Sequence, residues 1–382
     1  MRDMLLRAWA EDILAPIERV TAALSRVRDD PTLGADALDD DGWVALLGAS
    51  GAQLDELCDL ADSVRRRVTD PDVLTFVVNR NFDTGVVSCL GPDDPGLDDL
   101  VAEAVGLGAT EICMQGPLPA ELPADEYVRL VEVITGAADG LHLHAYRAPE
   151  IVDGAERAGV SVAEHLERLR SAGLGSVPGT AAQILDDTVR ATLSPTGSAP
   201  AVGSWVDVIE TAHRLGLFST ATMLYGHVET PAHQVAHLRL LLEIQRRTGG
   251  FSELILMPLL PENVPPHLAG TATRTASERE TRAVHAVARL MSAGLLDHLQ
   301  VAWTKLPAAT VDRVLRGGAD DLGGLLLDGT LMPTAGPEAG RVLDAAAVVD
   351  IAARAGRAPR QRTTRYGVPG PDRLLPLPTV SA

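Results

Sequence analysis

Short apolar, β-branched runs alternate with longer amphipathic stretches from Leu74 to Leu327, and this alternation constrains the fold more than any other feature. It is the pattern of parallel β/α architecture. Strands are expected at Leu74–Asn79, Glu111–Gln115, Leu141–Tyr146, Gly175–Pro178, Thr220–Tyr225, Glu253–Leu259, Leu299–Trp303 and Leu322–Leu327. Helices are expected at Pro95–Leu107, Tyr127–Ala137, Val162–Ala172, Ala181–Val189, Trp205–Leu215, Pro231–Arg247, Ser277–Ala293 and Ala308–Arg316. Eight strands with intervening helices predict an α/β chain folded as a closed (β/α)8 TIM-type barrel over residues 71–353. Residues 1–70 read as an N-terminal helical extension. Leu5, Leu6, Trp9, Ile13 and Leu14 recur at helical spacing, and Leu54, Leu57, Leu60, Ala61 and Val64 form a second stripe on Ser50–Val68. Residues 354–382 bring several Arg, then Pro and Gly, and read as a C-terminal tail packed on the barrel.

Composition narrows the partners. The 382 residues carry a net charge of −19, which argues against nucleic acid and anionic membrane surfaces. No apolar run approaches the ~18 residues of a membrane helix. The N-terminus lacks an apolar signal region and a cleavage site. Three cysteines, Cys58, Cys89 and Cys113, make no disulfide framework. These features point to a cytoplasmic protein acting on a small molecule.

Candidate chemistry gathers at strand ends, where a β/α barrel carries its active site. Asn79 and Asn81 close the first strand, and Gln115 and Gly116 the second. His142 and His144 alternate on the third strand and so share one face, as two ligands or as a polar layer of the barrel interior. Pro178, Gly179 and Thr180 lead into an expected helix, whose first N–H groups suit a carboxylate or hydroxyl. Tyr225, His227 and Glu229 follow the fifth strand, and each can move a proton. Trp303 can stack on a planar ligand and Lys305 can pair with a carboxylate; a core Trp with a snorkelling Lys fits equally. His233 and His237 sit at i, i+4 without an HExxH glutamate, so packing is their expected role and no metal site is assigned. The glycine-rich segment Gly317–Gly324 lacks nucleotide-loop spacing.

The words VVNRN (77–81), CMQG (113–116), PGTAA (178–182), TATMLYGHVET (220–230) and RQRTTRYG (360–367) carry a family resemblance. Over roughly Leu46–Gly367 the chain resembles the radical SAM deazaflavin (FO) synthases, on the side that joins tyrosine to a pyrimidine; aminofutalosine synthase is a cousin. The resemblance implies a barrel and S-adenosylmethionine (SAM) as cofactor. It places Gln115 and Gly116 at the methionine end of that cofactor, and with the residues read above the candidate cofactor contacts are Gln115, Gly116, Pro178, Gly179, Thr180 and Gln183, and the candidate substrate contacts Asn79, Asn81, His142, His144, Trp303 and Lys305. Tyr225, His227 and Glu229 would be catalytic. In that family a CxxxCxxC loop after NRN holds an iron–sulfur cluster. Here FDTGVVSCLGPDDPG (82–96) follows, with Cys89 alone, so no cluster is expected. Pro117 and Gln183 replace an expected Gly and Glu, and the strand-six histidine is gone. The expectation is a degenerate barrel enzyme performing non-radical group transfer on a small aromatic or SAM-type ligand. The alternatives are a non-catalytic binding protein or partner of an enzyme in the same pathway, and a radical enzyme with an unorthodox cluster.

Overall fold

The computed structural model describes residues 14–29, 34–194, 199–269, 276–325, 330–331 and 342–378. The run Leu5, Leu6, Trp9, Ile13 and the end of the last expected strand at 326–327 lie outside them. The chain is of the α/β class, with ten strands among the described residues: β1 (Val73–Val77), β2 (Asn79–Asp83), β3 (Glu111–Gln115), β4 (His142–Ala145), β5 (Ser176–Val177), β6 (Phe218–Tyr225), β7 (Phe251–Pro258), β8 (Leu299–Val301), β9 (Asp321–Gly324) and β10 (Ala358–Gln361). It forms two compact units, residues 1–73, 182–202 and 221–321 in the first and 74–181, 203–220 and 322–382 in the second.

In the second unit the neighbours are β10-β1-β9 and β6-β5-β4-β3-β2. The expected first strand is an extended run interrupted at Val78. Its first half pairs toward β9 and its second half pairs parallel with β3, so one run serves two neighbours. β3 with β4, β4 with β5 and β5 with β6 also pair in parallel. Tyr127, Leu130, Val131 and Ile134 of the helix Asp125–Ala137 are buried, as their spacing predicts. A helix at Ala148–Ala158 was not expected. Pro149 stands in its first turn, where a missing N–H costs nothing.

The C-terminal segment is tied down rather than trailing. β10 neighbours β1, and Arg362 N–H donates to Phe76 O at 2.8 Å. Gln361 and Arg373 bind across the segment, and Arg373 reaches the carbonyls of Ala109 and Asp139.

In the first unit β7 and β8 pair parallel, and β8 meets β9 at Asp321. The helix Gly51–Val68 buries Leu54, Leu57, Cys58, Ala61 and Val64 against Glu278–Ser292, with Cys58 inside where Leu60 was expected. Trp43 is fully buried with its indole N–H on Ala35 O at 2.9 Å.

One buried ion pair organises the loop into β8. Arg289 donates to Asp320 Oδ1 at 2.5 Å, to Gly318 O and to Asp297 O. Asp320 also accepts the N–H of Leu299 at 2.7 Å and faces His298 Nδ1 at 2.7 Å. Burial alone would raise the Asp320 pKa, but Arg289 and His298 outweigh it and hold the carboxyl below its usual range. A depressed folded-state pKa stabilises above the unfolded value and loses that contribution as pH falls. Asp320→Asn is therefore expected to cost about 3–5 kcal/mol at neutral pH, because it strands a buried guanidinium. Denaturant unfolding at pH 7 and below pH 4 checks this; an equal loss at both would contradict it.

Candidate functional site

Alternation along parallel strands sorts side chains by face. The register Asn79↔Glu111↔His142 and Asn81↔Cys113↔His144↔Ser176 sets one row beside the next, with Asp83 opposite Gln115. One face of β2–β5 therefore carries amides, carboxylates, a thiol, imidazoles and a hydroxyl. The residues between them, Phe82, Ile112, Met114 and Leu143, belong to the buried core.

The polar face is cross-linked. Asn79 Nδ2 donates to Asn81 Oδ1 at 3.2 Å. Gln115 Nε2 donates to Cys113 Sγ at 3.1 Å, and its Oε1 accepts from Thr180 Oγ1 at 2.9 Å. Gly116 follows in the left-handed region at φ 119°, where a side chain would be strained and would crowd the Asp83 carboxylate. His142 Nε2 and His144 Nδ1 both meet Ser176 Oγ, at 2.7 and 2.6 Å. Burial, then the Arg365 charge, lowers the His142 pKa to about 4. Burial, then His142 and Arg362, lowers that of His144 to about 3. Arg365 lies over Phe218, whose ring is 5.3 Å from that of His142. Ser176 was missed by sequence reasoning, because a lone serine on a two-residue strand carries no pattern. Only the β4–β5 register could have found it.

The Pro178–Thr180 turn departs from expectation. No helix runs over Ala181–Val189; the next one is Asp187–Leu193. Ala181 and Gln183 are left-handed at φ 70° and 51°, which a helix cannot absorb. Asp186 caps the later helix through the N–H groups of Thr188 and Val189. Pro178, Gly179 and Thr180 therefore offer no helix N-terminus. Gly179 is fixed instead by Thr220, whose Oγ1 accepts its N–H at 3.0 Å and whose carbonyl oxygen leaves no room for a Cβ. Gln183 gives its carbonyl to Leu224 N–H, and its side-chain Oε1 is buried without a partner.

The segment after β6 is also not as expected. Tyr225, His227 and Glu229 were read as open loop groups; all three are buried. Tyr225 OH donates to Thr281 Oγ1 at 3.1 Å, and burial raises its pKa. Glu229 accepts the N–H groups of Gly226 and His227 at 2.7 and 2.8 Å, and Gln234 Nε2 at 2.8 Å. His227 Nε2 donates to Leu224 O at 2.8 Å, with Nδ1 3.0 Å from Glu229 Oε2. Burial lowers the His227 pKa, opposed by Glu229. Glu229 thus folds the turn that carries His227. His237 packs in the same unit, accepting Leu185 N–H on Nδ1 and donating from Nε2 to Thr222 O. Trp303 and Lys305 form a half-buried 3-10 turn after β8 rather than a strand end or a core.

Each cysteine has its own surroundings. Cys58 packs beside Gly317, Cys113 accepts from Gln115, and Cys89 is exposed beyond the short helix Thr84–Val87 that Asp83 caps. Among the described residues no three His, Cys, Asp or Glu side chains gather as metal ligands. A cluster on three thiolates needs all the cysteines the chain has.

No family model matches the chain. It is 43% identical to the FO synthase of Nocardia farcinica over 365 residues, covering 91% of this chain and 41% of that protein. It is 41% identical to the FO synthase of Mycobacterium tuberculosis H37Rv over 373 residues, 93% of this chain and 43% of the relative. The 5-amino-6-(D-ribitylamino)uracil–L-tyrosine 4-hydroxyphenyl transferase of Methanothermobacter thermautotrophicus is 35% identical over 365 residues, 91% of this chain and 97% of the relative. The chain belongs to the radical SAM deazaflavin (FO) synthase family. It spans about two fifths of the length of the FO synthases it matches. The FeFe-hydrogenase maturase HydG of Carboxydothermus hydrogenoformans shares the fold at a TM-score of 0.64 and 12% identity, over 91% of this chain and 81% of that one. Methylornithine synthase (PylB) matches at 0.64 and 16%, over 88% and 97%. The family fold is thus present as an α/β barrel architecture. No helix among the described residues is long and apolar enough to cross a membrane.

Depressed folded-state values keep His142 and His144 neutral at pH 7. Their contribution to stability is complete above about 6.5 and falls away as the unfolded chain takes up protons below it. Imidazole 15N shifts should therefore stay those of neutral rings from pH 8 to about 5. Protonation of either ring near pH 6.5 would contradict the burial argument.

Proposed function

We propose that this chain is a barrel of the FO synthase family that binds a small aromatic or SAM-type ligand and acts by closed-shell group transfer, without an iron–sulfur cluster. The observation that carries this reading is the ordered polar face of β2–β5, supported by Cys89 standing alone in the stretch after Asn81. Gln115, Gly116 and Thr180 form one bonded group around which SAM would be held, with Gly179 and Pro178 shaping the turn. Asn79, Asn81, His142 and His144 would face the substrate. When bound, SAM would supply an electrophilic sulfonium; the chain supplies orientation and a neutral base.

The burial of Tyr225, His227 and Glu229 favours a second reading, a non-catalytic binding protein or partner of a related biosynthetic enzyme. In the first reading these residues hold the turn and leave proton transfer to the imidazoles of β4. The substrates in the Methanothermobacter relative's name, 5-amino-6-(D-ribitylamino)uracil and L-tyrosine, are the first acceptors to try.

Calorimetric titration of SAM and L-tyrosine into the purified protein, with iron and sulfide quantified on the same sample, tests the proposal. Micromolar binding without stoichiometric iron is expected. Gln115→Ala should weaken SAM about tenfold, the loss of one or two hydrogen bonds. Binding by neither ligand, or iron and sulfide at cluster stoichiometry, would sink the reading. Turnover then separates the enzyme from the binding protein.

A further inference from the structure

A serine hydroxyl carries one proton. Ser176 Oγ is within hydrogen-bond distance of two imidazole nitrogens, His142 Nε2 and His144 Nδ1. It can donate to one of them only, so the other ring must donate an N–H to it. Because the rings meet the hydroxyl through different nitrogens, only two arrangements satisfy both bonds. In one, both rings carry their proton on Nε2. In the other, both carry it on Nδ1. The outer nitrogens, His142 Nδ1 and His144 Nε2, bond to no described residue, and the His142 side chain is only half-buried. The triad therefore has two open ends and two matched states.

We infer that His142, Ser176 and His144 form a neutral proton relay, in which a proton taken up at His144 Nε2 is released from His142 Nδ1. The step starts with both rings protonated on Nδ1. A ligand O–H or N–H gives its proton to His144 Nε2. His144 passes its Nδ1 proton to Ser176 Oγ, and Ser176 passes its own to His142 Nε2. His142 gives its Nδ1 proton to solvent, and both rings end protonated on Nε2. The four transfers are concerted: each nitrogen that gains a proton is matched by one that loses it, so the triad gains no net charge.

Neutrality is what the site requires. Burial opposes an imidazolium on either ring, and Arg362 and Arg365 add like charge. A single buried histidine here would be a poor base, since it must hold the charge it collects. A coupled pair passes the proton on. Ser176 is a positioning residue in this scheme, because it acts on the ligand only through His144. The inference rests on the reading of this polar face as the ligand site.

Histidine-15N-labelled protein, with the rings assigned through His142→Gln and His144→Gln, provides the test. In the wild type at pH 7 the two rings should show the same tautomer. Ser176→Thr should preserve the match and Ser176→Ala should abolish it. Opposite tautomers in the wild type would overturn the relay, as would an unchanged match in Ser176→Ala; the wild-type spectrum decides alone if that variant does not fold. SAM and L-tyrosine titrated into the same samples separate the two ideas. Matched tautomers with no binding would remove the ligand reading and leave the coupled triad standing.

Discussion

Parallel pairing in register is the constraint on which the candidate site depends. A strand that pairs in parallel repeats its facing every second residue, so a one-residue slip would exchange the polar row for the apolar one. Such a slip would turn His142, His144, Gln115 and Asn81 onto the face now held by Phe82, Ile112, Met114 and Leu143, and those apolar side chains onto the polar row. The apolar row fixes the register, and the register places the chemistry. Ser176 joins that row because β4 and β5 pair at His144↔Ser176.

Elsewhere, polar groups are buried only where their hydrogen bonds are made. Asp320 satisfies a guanidinium and a backbone N–H near the start of β8. Glu229 does the same for the turn after β6. These carboxylates stand in loops, where sequence reasoning expects reactive groups. The distinction is made by their partners: a carboxylate already accepting two or three N–H bonds has little capacity left for a ligand proton.

The family assignment and the departures from it sit on the same strands. The words that carry the resemblance fall on β2, β3, the Pro178–Thr180 turn, β6 and the segment after β10. After Asn81, Asp83 caps a single helical turn and the chain goes on to the exposed thiol of Cys89. The framework of a pocket can be kept while the chemistry it served is replaced, because strand register and loop content are encoded separately.

The sequence by itself determined the α/β class, most strand positions and the sharing of one face by His142 and His144, because these follow from local periodicity. Val162–Ala172 and Glu111–Gln115 were legible to the residue. The helix Ala148–Ala158 was not, nor the loss of the helix after Ala181, where two left-handed residues without glycine override the apolar pattern. The roles of Tyr225, His227 and Glu229 could not be read either. Burial and partnership depend on residues such as Thr281 and Gln234, which no spacing rule links to them. Tertiary structure alone decided that one hydroxyl would stand between two imidazoles, since that depends on which strands lie side by side and at what register.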